Sequence, residues 1–265
     1  MTIRYLVNCS ILFTDLPLLQ RPAAARAAGF DAVEFWWPWA DAVPADSDVD
    51  AFTAAITDAG VRLVGLNFFA GDMPSGDRGV VSWPGRAAEF RAGVDVAIGI
   101  GERVGTGVFN ALYGNRINGV APAEQDDLAV ENLTLAAHAA SRIGATVLVE
   151  PVSGAERYPL RTAADVHDVL QHIDEPNVAM LADLYHLAVN DDDVDKVIAV
   201  YAHRIAHVQI ADAPGRGEPG TGDLPLRRWL DDLDRAGYGG WVGLEYKPAT
   251  EDPFGWLPAH GGSAS

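Results

Sequence analysis

The chain has 265 residues, 49% of them hydrophobic, and its formal net charge at pH 7 is −18. That length is enough to bury one large core, and the negative charge excludes nucleic acid and anionic membrane surfaces as expected partners, because both bind chiefly to basic patches. The sequence has no apolar run of membrane-spanning length, and MTIRYLV at its start is typical of a strand rather than a signal peptide, so we expect a soluble, cytoplasmic protein.

Short apolar runs alternate with longer segments of helical pattern about eight times along the chain. The apolar runs predict strands at 3–10, 31–37, 62–69, 106–112, 146–152, 178–184, 205–211 and 240–246. The helical pattern predicts helices at 18–28, 49–59, 86–104, 123–143, 163–173, 194–203 and 226–236. Strands that alternate with helices pair in parallel, and eight such units predict a (β/α)₈ TIM barrel.

We expect residues 1–265 to form a single TIM-barrel domain, because proline, glycine and serine never gather into a long linker. After the eighth strand the sequence has too little helical periodicity for a complete eighth helix, so the tail at 249–265 is predicted to be a short helix or coil. The polar loop AGDMPSGDRGVVSWPG follows the third strand, and loops of this length in compact domains are usually functional.

A polar side chain lies near the end of every predicted strand. These residues are Asn8, Glu34, Asn67, Asn110, Glu150, Asp183, Gln209 and Glu245. In a parallel barrel the active site lies at the carboxyl ends of the strands. Neighbouring strands are only about 4.8 Å apart, so the last four of these side chains can surround one point if they share the interior face.

Three of those last four side chains are carboxylates, and their repulsion at short range would favour protonation. A bound dication removes that repulsion. Because the ligands would all be oxygen atoms, Mg²⁺ or Mn²⁺ is favoured over Zn²⁺. A divalent ion between two glutamates suits proton transfer beside a carbonyl group, either as aldose–ketose isomerisation through an enediol or as epimerisation. The spacing alone leaves both reactions open.

Short motifs recur over nearly the full length of the chain. They are VENL at 130–133, VEP around Glu150, DLYH at 183–186, HVQIAD at 207–212, RGEPGTG at 216–222 and GWVGLEYKP at 240–248, with AGD at 70–72, RG at 78–79 and PGR at 84–86. Together they resemble the signatures of the hydroxypyruvate isomerase family, within the xylose isomerase-like barrel superfamily.

The resemblance implies that Glu150, Asp183, Gln209 and Glu245 are metal ligands and that Glu150 and Glu245 form the acid/base pair. Related ketose 3-epimerases usually have histidine at the position of Gln209, which favours the hydroxypyruvate isomerase branch. The implied reaction interconverts hydroxypyruvate and 2-hydroxy-3-oxopropanoate, or a close 2-oxo acid. The resemblance also implies a homodimer or homotetramer.

Six further residues are candidates for substrate binding. They are Glu34, Trp37, Asn67, His186, Arg216 and Lys247. His186 resembles the histidine of the family's DxYH motif, and the aromatic cluster around Trp37 could wall a small substrate from water. Arg216 could pair with a substrate carboxylate in bidentate fashion, and Lys247 could neutralise an anionic substrate.

One loop departs from the family pattern. After Glu150 and Pro151 the family typically has an Asn-containing loop with a Pro-Gly-Phe stretch, whereas this chain has VSGAERYPLRT. In the family this loop borders the substrate, so we expect it to bear on which substrate is used.

The sequence leaves three further functions open. A ketose isomerase or 3-epimerase acting on a neutral sugar would use the same metal and glutamates. A phosphodiesterase like endonuclease IV would need a zinc cluster with many histidine ligands, and this chain has strand-end histidines only at His186 and His207. A non-catalytic sugar-binding barrel would need neither glutamate as an acid or base.

Overall fold

Eight parallel strands close into one barrel in the order of the chain. The computed structural model describes residues 3–257, and every neighbouring pair of strands, including the first and the last, is hydrogen-bonded. The strands are β1 Arg4–Asn8, β2 Ala32–Phe35, β3 Arg62–Asn67, β4 Val108–Asn110, β5 Thr146–Val149, β6 Val178–Asp183, β7 Ile205–Ile210 and β8 Trp241–Leu244. The predicted (β/α)₈ fold is therefore confirmed.

Helices follow the strands around the outside of the barrel. They are α1 Arg21–Ala27, α2 Asp46–Ala59, α3 Ala87–Val104, α4 Pro122–Ser141, α5 Ala163–Gln171, α6 Leu184–Val189, α7 Val194–Tyr201 and α8 Leu226–Arg235. Within residues 3–257 none of them is both long and apolar enough to cross a membrane.

The helix ends follow local sequence rules. Helices α2 and α3 end at Gly60 and Gly105, whose φ angles of 67° and 78° lie in the left-handed region that glycine adopts without strain. Helix α4 begins at Pro122, where the missing N–H has no helical partner to lose. Helix α5 begins with a capping box in which Thr162 and Asp165 each accept a hydrogen bond from the other's backbone.

One part of the helical layer differs from the sequence prediction, and another agrees with it. Helix α6 starts directly at the end of β6, where the sequence pattern indicates a loop. After β8 the chain runs as coil and turns to Leu257, which agrees with the predicted irregular tail, whereas residues 258–265 lie outside the described range.

Large aromatic side chains fill the layer between strands and helices. The rings of Phe68 and Phe109 stack with their centroids 5.3 Å apart, and Phe90 from α3 meets Phe68 edge to face. All three are essentially inaccessible to solvent. This packing fixes α3 against β3 and β4, and so fixes the strand ends that carry Asn67 and Asn110.

A pair of glycine substitutions in α3 tests this packing. A Cβ atom at Gly101 would lie 2.6 Å from Phe109 Cζ, and the ring is held by its stack on Phe68, whereas Gly99 has nothing within 4 Å. Gly101→Ala should therefore destabilise the protein by about 1–3 kcal/mol, and Gly99→Ala should stabilise it by about 0.5–1 kcal/mol through helix propensity. Urea unfolding measures both. Equal stability of the two variants would contradict the described contact between α3 and β4.

Candidate active site

The strand register brings three of the four predicted metal ligands to one mouth of the barrel, and Glu150 has a carboxylate oxygen within 4.8 Å of one of Asp183. Asp183 pairs across the sheet with Gln209, and Gln209 pairs with Gly243, two residues before Glu245. The backbone N–H of Glu245 donates to the backbone oxygen of Ile210 at 3.1 Å, which extends the β7–β8 hydrogen bonding by one residue. Each of the four side chains is at most 5% exposed.

The two carboxylate oxygens of Asp183 have different environments. Asp183 caps α6, because its Oδ1 accepts hydrogen bonds from the backbone N–H groups of Tyr185 at 2.8 Å and His186 at 3.2 Å. Its Oδ2 is buried and has no hydrogen-bond partner. The cap therefore fixes the carboxylate and leaves one oxygen free at the barrel mouth.

Gln209 is oriented by a buried network around Glu34. Its Nε2 donates to Glu34 Oε1 at 2.7 Å, and His207 Nε2 lies 2.7 Å from Glu34 Oε2. Asn8 Nδ2 also donates to Glu34 Oε1 at 3.1 Å. A Cβ at Gly243 would lie 2.6 Å from Glu34 Oε1, so this glycine leaves room for the carboxylate inside the barrel. The network leaves Gln209 Oε1 as a buried acceptor without a partner.

Glu150 is held by the end of the neighbouring strand. Asn110 Nδ2 donates to Glu150 Oε2 at 2.6 Å, and the hydroxyl of Tyr158 donates to the backbone oxygen of Glu150 at 3.0 Å. Burial, together with the nearby charge of Asp183, raises the pKa of Glu150 to about 8. The carboxyl is thus fixed in position and poised near neutral pH.

Glu245 accepts hydrogen bonds at both carboxylate oxygens. Its Oε1 accepts from Trp36 Nε1 at 2.5 Å and from Asn8 Nδ2 at 3.2 Å, and its Oε2 pairs with Arg216 Nη2 at 2.8 Å. Burial raises the pKa of Glu245 well above its ordinary value, against the opposing charge of Arg216. Arg216 also lies 3.6 Å from Asp183 Oδ2, so this predicted substrate ligand already has two carboxylate neighbours.

His186 is neutral and carries its ring proton on the nitrogen that faces the acids. The backbone N–H of Ser153 donates to His186 Nδ1 at 3.1 Å, and Ser153 Oγ lies 2.6 Å from the same atom. A backbone N–H can only donate, so the proton of the neutral ring is on Nε2. Nε2 is 3.6 Å from Asp183 Oδ2 and 3.9 Å from Glu150 Oε1. Burial lowers the pKa of His186 to about 4, which keeps the ring neutral.

A cavity of about 450 Å³ opens over these groups. Its walls include Glu150, Glu245 and three of the predicted substrate ligands. Those three are Asn67, His186 and Arg216.

The structure does not place the other three predicted substrate ligands on this cavity. Glu34 lies in the buried network beside Gln209. The indole N–H of Trp37 donates to Asp41 O at 2.9 Å, away from the cavity. Lys247 is exposed, and its backbone N–H, not its ammonium group, contacts Arg216.

Several cavity residues are absent from the set that the sequence predicts, and three of them carry hydrogen-bonding side chains: Trp36, Arg78 and Ser153. Strand alternation from Glu34 would have favoured Trp36 over Trp37, because residues i and i+2 share a face. Arg78 and Ser153 lie in loops, whose course the period of a strand does not predict.

The chain matches known proteins over nearly its whole length. The profile of the family described as xylose isomerase-like TIM barrel matches residues 22–260. The chain belongs to this family. A Streptomyces coelicolor protein named "Putative hydroxypyruvate isomerase" is 57% identical, covering 97% of this chain and 96% of its own.

Other relatives of this xylose isomerase-like protein are more distant. The Escherichia coli hydroxypyruvate isomerase and the Cupriavidus necator 2-oxo-tetronate isomerase are each 32% identical over 96% of this chain, and over 98% and 97% of their own lengths. A Brucella melitensis crystal structure described as AP endonuclease, family 2, has a TM-score of 0.88 and 32% identity, covering 98% of this chain and 99% of that one. The predicted family resemblance and the predicted class, an isomerase, are confirmed.

The donor groups of this xylose isomerase-like protein fit a divalent cation. Glu150 and Asp183 each offer a carboxylate oxygen within 4.8 Å of the other, and His186 lies beside them with its ring proton on Nε2. Gln209 Oε1 adds an amide oxygen, and neither it nor Asp183 Oδ2 has a hydrogen-bond partner. A buried acceptor without a partner costs about 1–3 kcal/mol, and a cation bound among these groups would remove that cost.

Glu150→Gln should stabilise the metal-free protein at alkaline pH. Between about pH 4.5 and about pH 8 the unfolded chain ionises Glu150 while burial keeps the folded carboxyl protonated, so wild-type stability falls as the pH rises through this window. Glutamine carries no charge and can still accept from Asn110. Its advantage should reach the order of a few kcal/mol above about pH 8.

Thermal melts in EDTA from about pH 5 to about pH 9 measure this difference. Glu156→Gln, an exposed change in the same loop, is the control and should follow the wild type at every pH. Parallel curves for Glu150→Gln and the wild type would contradict the raised pKa.

Proposed function

We propose that this protein is a divalent-metal-dependent isomerase that interconverts hydroxypyruvate and 2-hydroxy-3-oxopropanoate, or a close 2-oxo acid, through an enediol. The observation that carries the proposal is that Glu150 and Glu245, two buried carboxyl groups, line one cavity with Arg216, which also lies 3.6 Å from Asp183 Oδ2, and that Gln209 pairs with Asp183 across the β6–β7 ladder. Burial holds the pKa of both glutamates above the ordinary range, which suits groups that must both take and return a proton near neutral pH.

The proposed metal is Mg²⁺ or Mn²⁺, held by Glu150, Asp183, Gln209 and Glu245. With the proton of His186 on Nε2, the remaining donors at the mouth are all oxygen atoms, and hard dications prefer such a set. When bound, the ion supplies polarisation of the carbonyl and hydroxyl oxygens of the substrate.

The chain's own residues move the proton. In the forward direction one glutamate carboxylate takes a proton from C3 of hydroxypyruvate, which leaves the enediolate, the conjugate base of the enediol. A glutamate carboxyl then gives a proton to C2, while the hydroxyl proton passes from O3 to O2. His186 Nε2–H can donate to a substrate oxygen during this shift. One proton leaves and one returns, so no redox partner is needed.

The choice of substrate rests on the named relatives. The hydroxypyruvate isomerase of Escherichia coli and the 2-oxo-tetronate isomerase of Cupriavidus necator are equally identical to this chain, so a four-carbon 2-oxo acid is a second candidate. The cavity of about 450 Å³ accommodates either acid. Both share a carboxylate next to the reacting carbonyl, which a neutral ketose lacks.

The donor set also weighs against a nuclease and against a non-catalytic barrel. An endonuclease IV-like phosphodiesterase would need several histidine ligands. In the described part of the chain the candidate metal cluster has one histidine, His186, beside two acids. A sugar-binding barrel would gain nothing from two buried carboxyls of raised pKa, which cost stability.

Metal binding should depend on the charge of Asp183. Mn²⁺ at about 100 times its Kd should stabilise the wild type by about 2.7 kcal/mol, and Asp183→Asn should lose most of that effect, because asparagine keeps the Oδ1 cap on α6 but not the charge. Thermal melts with and without Mn²⁺ measure this. Asp193→Asn is the matched control, since Asp193 caps α7 in the same way outside the site and should retain the full effect.

Isotope exchange tests the reaction itself. With Mg²⁺ or Mn²⁺ in D₂O, hydroxypyruvate should take up deuterium at C3 and yield 2-hydroxy-3-oxopropanoate, both followed by NMR. Glu150→Gln and Glu245→Gln should each lower the rate by about 10²–10⁴-fold, and Glu156→Gln should not. Exchange of only fructose or erythrulose, run in parallel, would overturn the acid substrate, and retained activity in Glu150→Gln would overturn the acid/base role.

A further inference from the structure

We propose that Arg78 is the residue that binds the carboxylate group of the substrate and so selects a 2-oxo acid over a neutral ketose. The inference rests on the proposed function, because it assumes an anionic substrate in the cavity above Glu150 and Glu245. It assigns to Arg78 the task that the sequence suggested for Arg216 and Lys247.

Arg78 presents an unpaired edge of its guanidinium group. The side chain is half-buried and lines the same cavity as Glu150 and His186. Its Nη1 donates to two backbone oxygens, Asp77 O at 2.7 Å and Met73 O at 3.2 Å. Within residues 3–257 its Nε and Nη2 atoms donate to no protein group and no carboxylate pairs with it. An Nε–Nη2 edge of this kind matches a carboxylate in bidentate geometry.

The other cations near the cavity are not available in this way. Arg216 Nη2 is 2.8 Å from Glu245 Oε2, and its guanidinium lies over the ring of Tyr185 at 5.2 Å. The charges of Glu245 and Asp183 raise the pKa of Arg216 although burial opposes this, so the group is bound to the acids. Lys247 is exposed and does not line the cavity.

A single negative charge on the substrate suits this guanidinium group. The acids of the site already have another cation, because Arg216 Nη2 lies 2.8 Å from Glu245 Oε2 and 3.6 Å from Asp183 Oδ2. Arg78 pairs with no acid in the described part of the chain, and a substrate carboxylate would supply its counter-charge. A neutral ketose would leave the half-buried guanidinium without one.

The loop holds Arg78 in a defined place. The carboxylate of the preceding Asp77 pairs with Arg86 Nη1 at 2.9 Å. The following Gly79 has a φ of 97°, and any Cβ there would collide with Leu112 O. These two neighbours restrain the backbone on both sides of Arg78, so its side chain reaches the cavity from a defined backbone position.

Direct binding of glycolate tests the assignment without turnover. Glycolate has one carboxylate and one hydroxyl group and cannot isomerise. Isothermal titration calorimetry on the Mn²⁺-loaded protein measures glycolate binding. Arg78→Met should weaken it at least about 30-fold. Arg78→Lys should retain part of the affinity, because lysine keeps the positive charge but cannot form the bidentate contact. Arg62→Met is the control: it removes one positive charge at the opposite end of the barrel and should bind like the wild type.

Kinetics provide the second readout. Arg78→Met should raise the KM for hydroxypyruvate much more than it lowers kcat, since a remote carboxylate contact is made in both ground and transition states. Equal melting temperatures of the variant and the wild type exclude loss of folding as the cause. Wild-type glycolate affinity and KM in Arg78→Met would overturn this inference and leave the isomerase intact. A wild-type protein that exchanges neither hydroxypyruvate nor a four-carbon 2-oxo acid would overturn the proposed function.

Discussion

The burial of several carboxyl groups at one end of the barrel is the constraint on which the rest of the site depends. Glu34, Glu150, Asp183 and Glu245 are each at most 5% exposed. Burial of like charges is costly unless hydrogen bonds and opposite charges compensate. Amides, indole and imidazole groups and the guanidinium of Arg216 supply part of this compensation. A bound dication would compensate the negative charge that these groups leave.

The compensating groups also set the geometry of the site. Three side chains each use one polar atom in a hydrogen bond to a neighbour and leave an oxygen buried without a hydrogen-bond partner. These oxygens are Asn110 Oδ1, Gln209 Oε1 and Asp183 Oδ2. An amide or carboxylate fixed at one atom cannot turn away at the other. The partnerless oxygens are therefore preorganised, so a ligand that binds among them does not have to reorder these side chains.

The sequence predicted the barrel and the strand-end acids well, because hydrophobic period and strand polarity are local properties that the closed sheet preserves. It failed where tertiary contacts decide. Helix α6 was missed because it has only six residues and depends on the cap by Asp183. The sequence predicts Trp37 as a substrate-binding residue, whereas Trp36, which shares the face of Glu34, lines the cavity. The position of Arg78 depends on contacts of its loop with residues near α3 and β4. Lys247 is exposed because β8 has already ended before it. The periodicity of the sequence predicts neither result.

The contact between Ser153 and His186 bears on how the family can diversify. The atom that fixes the proton on the imidazole is a main-chain nitrogen, and every residue except proline possesses one. The loop after Glu150 can therefore exchange its side chains, as its departure from the family pattern illustrates, without altering the tautomer of the histidine. Substitutions can change this wall of the cavity while the main chain keeps the proton of His186 on Nε2.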